Sequence, residues 1–413
     1  MGITIADIPG MLKTKFTGPI NDSVYKEVML LNQISIDNSD VIRGSRDVKQ
    51  AARLTRNNGV SFADTSASVT LPGSNSSKVE HIVSQVKALY GYLEFEGPTL
   101  RATLSDEGAF AKIMQSEMLN LTESMKIEMN RAAYLDGTGA LATVNSATTT
   151  SVVLRDTFAS PLLNMEWFDE GMKVDIYDST GVTDRGEFTI STIDRATGTL
   201  VMTADAQAAG VVATDIVYLA GSKGNEPMGL LGMADDGTFV GTLFGISNST
   251  YSRWNGQVDD NTGGGALRAV TEEMLQDMIT KIQRTGKKVL IITTEAIRNK
   301  IARLIKPAVV QAPTWDLKGG FMTINYNGIM VYADLFAPAN HILVVEMSYL
   351  KGHVLYPTSG SPFNAISFTD FDNQVLHGTR GNDVYWAKAV ADYELTCTRR
   401  NAFGRISDID AAL

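Results

Sequence analysis

Cysteine is nearly missing from this 413-residue chain: Cys397 stands alone. A single thiol excludes an intramolecular disulfide and any zinc site built from cysteines, which fits synthesis in a reducing cytoplasm. Long apolar runs are missing too. No stretch of about eighteen apolar residues occurs, and the opening MGITIADIPG is not charged-then-apolar, so neither a membrane span nor a secretory signal is expected. Met1-Gly2 begins like a myristoylation pattern, but Ala6 stands where Ser or Thr is required. Glycosylation-like triplets at Asn75, Asn120 and Asn248 carry no weight without export. Histidine is scarce: His81, His341, His353 and His377 lie far apart with no second His or Cys at ligand spacing, so each reads as structural.

The motifs of common chemistries are also absent. No G-x-x-x-x-G-K-[ST] loop, H-E-x-x-H pair or G-x-S-x-G elbow occurs. Gly137, Gly139 and Ala142 fit G-x-G-x-x-A, but phosphate binding there needs a strand before the glycines and a helix after them. Here a helix comes first, so the glycines read as a helix stop. Asp259, Asp260 and Asn261 begin like a calcium loop, yet Val270 stands where the bidentate Glu is needed, leaving at most a loose surface contact. Asp235-Asp236-Gly237 is most simply a turn. No catalytic residue, cofactor site or metal site is expected.

What is present is apolar mass and length. Hydrophobic residues make up 44% and charged residues 20%, enough for about two or three packed domains. The formal charge is −10, which speaks against a wholly nucleic-acid-binding surface, but it is uneven: residues 1–60 carry +2, leaving −12 elsewhere. Arg43, Arg46, Lys49, Arg53 and Arg56 recur every three or four residues, which predicts one basic helix face. Such a face is either solvated and salt-bridged between copies or in contact with phosphates.

The clearest element is a long helix over 105–136. Phe110, Met114, Met118, Leu121, Met125 and Met129 form one apolar stripe, with Ser105 as N-cap and Gly137 as stop. It would run about 45 Å at 1.5 Å per residue and needs a long partner. Before it, 1–56 reads as an arm, with a short helix expected over 23–34. Residues 57–100 read as a long two-stranded excursion whose Gly-, Ser- and Asn-rich tip includes Pro72, Gly73 and Lys78 and rests on a neighbour. After it, short punctuated strands over 150–222 predict an inserted small barrel or sandwich. From 266 the order helix, strand, helix and further strands predicts an α/β unit with a central sheet. Alternation over 384–398 predicts a closing strand that returns to the sheet beneath the long helix. The seventeen Met residues supply adaptable packing.

This order of parts resembles the major capsid proteins of tailed bacteriophages, the Hong Kong 97-like shell fold. EMNRAAYLDGTG, residues 128–139, is similar to the helix end and Gly-rich turn of that family, and EPMGLL, residues 226–231, to the segment after it. The resemblance implies an α+β chain with an N-terminal arm (1–56), an extended loop (57–100), a peripheral domain with the spine helix (101–149), an inserted β domain (150–222), peripheral domain again (223–265), an axial domain (266–383) and a return strand with the C-terminus (384–413). It implies a structural protein, with no enzymatic activity, that self-assembles into pentamers and hexamers of an icosahedral head around double-stranded DNA. The implied location is the virion, assembled in the host bacterial cytoplasm. The arm is too short for a cleaved scaffolding segment, so the implied partners are a separate scaffolding protein, a portal and a decoration protein. Two other readings stand beside it: an encapsulin-like compartment shell, and a multidomain hydrolase or carbohydrate-binding protein whose β insertion binds ligand.

Overall fold

The structure is a computed structural model that describes residues 30–42, 44–62, 73–98, 107–155, 164–261, 267–283, 289–305, 324–355, 366–368, 376–378 and 381–410. Most of the helix expected over 23–34, with Arg43, Pro72 and Ser105, lies outside the described residues. So do the side chains of Phe110 and Met114. Among the described residues no helix is long and apolar enough to cross a membrane.

The first long strands are β1 (Asp47–Arg53) and β2 (Val79–Gln85), which run antiparallel with Gln50 opposite Ile82. This corrects the basic helix expected across Arg46, Lys49, Arg53 and Arg56. Lys49 and Arg53 lie on the outward face of a strand, Arg46 occupies the turn before it at φ 56°, and Arg56 follows it in a loop. The charges do recur at helical spacing, but Val48, Gln50, Ala52 and Leu54 alternate, and those side chains are the ones that become buried. Burial outweighs the spacing of solvated charges. The excursion's first limb therefore starts before residue 57.

Strand β3 (Lys87–Glu96) follows β2 at once but belongs to a different sheet. Next comes helix α1 (Glu107–Tyr134), 28 residues or about 42 Å. Its end is set locally. Leu135 donates back to Ala132, the Asp136 side chain accepts from the Thr138 backbone and hydroxyl, and Gly137 takes φ +80°. Gly139 has the same φ, and a Cβ there would lie 2.7 Å from the Ser222 carbonyl oxygen. The helix precedes the glycines and a strand follows, the reverse of a dinucleotide-binding turn.

That strand, β4 (Ala140–Ala147), opens a closed six-stranded barrel with β5 (Ser151–Leu154), β6 (Lys173–Tyr177), β7 (Asp184–Asp194), β8 (Thr199–Met202) and β9 (Ile216–Leu219). The strand order is β8-β5-β4-β9-β6-β7, with β7 closing on β8. Val152, Val174, Ile176, Phe188, Ile190 and Leu200 alternate inward and are buried. The expected insertion is thus a barrel, and its first strand starts before residue 150. Trp167 Nε1 donates to the Phe336 carbonyl at 3.0 Å, and Asn164 Nδ2 to the carbonyls of Leu335 and Ala337, which ties the barrel's connecting segment to the body.

Two sheets complete the chain. One contains β10 (Gln257–Asp259), β11 (Val289–Thr293), β12 (Ile324–Tyr326), β13 (Ile329–Ala333), β14 (Ile342–Glu346) and β17 (Phe403–Ile406), in the order β10-β17-β14-β11-β13-β12. Helices α2 (Glu272–Gln283) and α3 (Glu295–Ile305) cover it with Met278, Ile282, Ile297 and Ile301. The other is built on the long strand β16 (Val384–Cys397), which pairs antiparallel with β3 and, at its C-terminal end, with β15 (Leu350–Val354). Sheet membership cuts across the expected divisions, since β10 and β17 join the sheet of the 266–383 segment while β15 leaves it.

The long partner that α1 requires is this second sheet. A Cβ built at Gly91 of β3 would stand 2.8 Å from Met125 Sδ and 3.0 Å from a Leu121 methyl, so the missing side chain lets helix and sheet touch. Met125 and Met129 are buried, Leu121 packs on the core, and Met118 is half-buried. Each fully buried Met contributes about 2 kcal/mol from area removed from water. The closest approach at the helix end is that of Gly229, where a Cβ would meet the Leu135 carbonyl oxygen at 2.4 Å and that of Ala132 at 2.6 Å. Backbone cannot yield as a flexible side chain can, so Gly229→Ala is expected to lower stability by about 3 kcal/mol or more in chemical denaturation. A loss below about 1 kcal/mol would show that the contact relaxes freely.

Candidate functional site

The two segments singled out for their resemblance, 128–139 and 226–231, meet at the end of α1. Arg131 points from the helix into the protein and forms a fork on Glu226, with Nη2–Oε1 at 2.6 Å and Nη1–Oε2 at 3.3 Å. Its Nε donates to Glu128 Oε2, one turn earlier, at 2.7 Å. Burial works against the guanidinium's charge, but the two carboxylates outweigh it and hold its pKa above the ordinary value. Burial pushes Glu226 up, and the fork of Arg131 opposes that shift; the geometry is that of a charged pair. Beside it, Asp334 accepts from Tyr134 Oη at 2.7 Å and from Asn130 Nδ2 at 3.2 Å, which fastens the same helix end to the other sheet. Glu394 of β16 accepts from the Met228 backbone at 2.9 Å, and its burial raises its carboxyl to about 8.

A second buried cluster was hidden in what the sequence presents as a turn. Asp235 is fully buried and accepts from Arg405 Nη2 at 3.2 Å and from the backbone of Gly237, Phe239 and Val240, with Arg400 Nη2 at 3.6 Å. Arg400 also donates to the carbonyls of Gly232, Met233 and Val240. The only local hint was the Gly at position 237, because both arginines lie some 165 residues or more downstream. Asp259, the first residue of the calcium-like stretch, is held by Arg268 at 2.9 Å. His353 lies in a buried set with Thr396 and Gln50, which joins β1 to β15 and β16, and buried His341 is lowered to about 4 by desolvation.

The excursion has a fixed base and an outstretched limb. At the base Val83 donates to the Phe244 carbonyl, Tyr251 Oη to Glu80, and Val48 and Ile82 are fully buried. Lys78 closes the hairpin through backbone bonds with Leu54 and Thr55, while its side chain is exposed. The hairpin base thus lies on its own chain. Beyond it Gly73 is exposed, and so are Val60 and Phe62, large apolar residues without cover. Of the basic residues, Lys49, Arg53 and Arg56 are exposed along one limb. Among the described residues no group of His, Cys, Asp and Glu is placed to hold a metal ion.

No family model and no curated protein matches the chain. Solved structures do. The capsid asymmetric unit of Cyanophage A-1(L) matches with a TM-score of 0.60 at 12% identity, over 98% of this chain and 99% of that one. The fold is that of a phage capsid protein. The capsid of a native GTA particle matches at 0.50 with 9% identity over 98% of each chain. The holo-SrpI encapsulin complex of Synechococcus elongatus PCC 7942 gives 0.49 at 9% identity over 100% of this chain and 98% of that one. At 12% identity the cyanophage chain shares the fold while most of its side chains differ.

Two outcomes are expected. Arg131→Met leaves Glu226 buried without its partner and lowers stability by about 3–5 kcal/mol, whereas the double change with Glu226→Met recovers most of that loss in denaturant unfolding. Between the ordinary carboxylate range and about pH 8 the unfolded chain has released the Glu394 proton and the folded chain keeps it, so stability falls as pH rises through that window. Glu394→Gln, which still offers an acceptor to Met228, is expected to flatten this fall and raise the melting temperature at pH 8. An unchanged pH profile would place the carboxyl in contact with water.

Proposed function

We propose that the chain is the structural subunit of a shell. It self-assembles into pentamers and hexamers of an icosahedral phage head that encloses double-stranded DNA, and its role is non-enzymatic. The observation that carries this is the extent of the capsid fold, 98% of this chain against 99% of the cyanophage chain. The hairpin supports it: a single copy has its base seated and its limb, with Val60 and Phe62, in solvent. On this reading the limb and the Gly73–Lys78 side rest on a neighbouring copy, and α1 with its sheet is the stiff spine of each subunit. The outward Arg46, Lys49, Arg53 and Arg56 offer contacts to neighbouring acids or to packaged DNA. The proposed divisions are arm, extended loop, peripheral domain, β insertion and axial domain. A separate scaffolding protein, a portal and a decoration protein are the proposed partners, with assembly in the bacterial cytoplasm and residence in the virion.

Electron microscopy of the expressed chain with its scaffold tests the reading: closed particles are expected, and only small species under assembling conditions would sink it. Phe62→Ser is expected to cut particle yield at least about tenfold, since an exposed aromatic that becomes an interface anchor is worth about 2 kcal/mol or more. Its circular dichroism and melting temperature should match the parent chain, because Phe62 has no cover to lose in the subunit.

A further inference from the structure

The first limb of the excursion, the 253–254 turn and the chain just after β16 enclose a recess of about 200 Å³. Four arginines from these three places line it: Arg53 and Arg56, Arg253, and Arg399. Among the described residues no carboxylate does. Arg53 Nε donates to the Thr55 carbonyl and Arg56 Nε to Asn58 Oδ1, both at 3.3 Å, so the oxygens that orient these side chains are neutral ones. Arg399 donates to Tyr349 Oη at 3.0 Å and lies over that ring at 5.2 Å, which holds its side chain at the wall of the recess. The wall also contains Trp254, which is 3% exposed and whose Nε1–H has no acceptor among the described residues. A buried donor without an acceptor costs about 1–3 kcal/mol, and a bound oxygen would remove that cost.

We propose that this recess is an oxyanion site for a free or terminal phosphate group. Phosphate fits better than carboxylate because it carries close to two negative charges near neutral pH and offers at least three acceptor oxygens. Guanidinium forks engage two such oxygens at a time, and the indole N–H takes a further one. A diester inside a duplex has only one charge, and the recess has room for an ion with a few waters, not for a helix of nucleic acid. The bound ion bridges the hairpin limb, the 253–254 turn and the 398–401 segment, so it braces the base of the excursion against the body. This goes beyond the shell reading and is independent of it: a subunit that builds no particle can still bind phosphate, and one that binds none can still assemble.

The test is calorimetric titration of sodium phosphate into the purified full-length chain kept as unassembled subunits, with sodium chloride at matched ionic strength as control. Saturable binding at one site per chain is expected, together with a melting temperature that rises with phosphate and not with chloride. Arg253→Gln with Arg399→Gln should weaken binding at least about tenfold. Trp254→Phe, which keeps the ring and removes the donor, should weaken it about threefold to tenfold. Should the double variant fail to fold by circular dichroism, the single Arg253→Gln change at an exposed position serves in its place. Absence of saturable binding, or equal affinity in the parent, the Arg253→Gln and the Trp254→Phe chains, would overturn the proposal. Equal competition by acetate would overturn the choice of phosphate over carboxylate. Displacement of phosphate by a short duplex lacking terminal phosphates would assign the site to the nucleic-acid backbone and overturn the small-ion assignment.

Discussion

A guanidinium taken out of water must keep its carboxylate, and the Arg131–Glu226 pair imposes that requirement on two points that flank an entire barrel. Between them the chain leaves α1 at Gly137, threads six strands and returns at Ser222, where the Gly139 backbone already touches it. Closing so long an excursion costs little more entropy than closing a short one, because the cost grows only with the logarithm of length. What the excursion needs is a fixed departure and a fixed return. The bidentate pair, the Gly229 backbone against the helix end and the Met228–Glu394 bond together supply one register for both. A barrel can therefore be inserted here without disturbing the helix.

The same logic recurs around Asp235. Replacing a buried ion pair by well-packed apolar groups is often neutral or stabilising, so these clusters are poor candidates for the main source of stability. Apolar surfaces such as the Met-rich face of α1 can shift by a turn with modest loss; a fork on a carboxylate cannot. Stability accordingly comes from the continuous apolar core running from the helix through the barrel to β16, and the charged clusters fix how the parts are set within it. Arg400, just before β17, and Arg405, within it, bring the last described segment of the chain into that scheme by fastening it at Asp235.

This division explains what could be read from the sequence. The Met stripe of α1, the alternating strands of the barrel and the alternation along β16 are local patterns, and the core is made from them. The clusters are pairings across some 95 to 170 residues, and nothing in the text around Asp235 or Glu226 marks a partner so distant. The basic run from Arg46 to Arg56 misled for a related reason: spacing of exposed charges carries no burial energy, while the weaker alternation of Val48, Gln50 and Ala52 does. Strand β4 was overlooked because its small residues follow a helix stop directly, and β17 because four residues are too few to show a period.

The outstretched limb of the hairpin has the opposite energetics from the core. Its base is committed to its own chain through Val83, Tyr251 and the Gln50–Thr396 contact, so ordering that base costs nothing further when another surface arrives. Phe62 and Val60 are left in water, and each offers about 1.5–3 kcal/mol if fully covered. A contact of that size is too weak to join two subunits, once lost translational and rotational freedom is counted. Repeated at every copy of a closed shell it becomes decisive, because each subunit is then held by several such contacts at once and the rigid base keeps the effective concentration of the next limb high. A seated base with a bare limb is therefore suited to cooperative assembly, in which single contacts remain reversible until the shell closes.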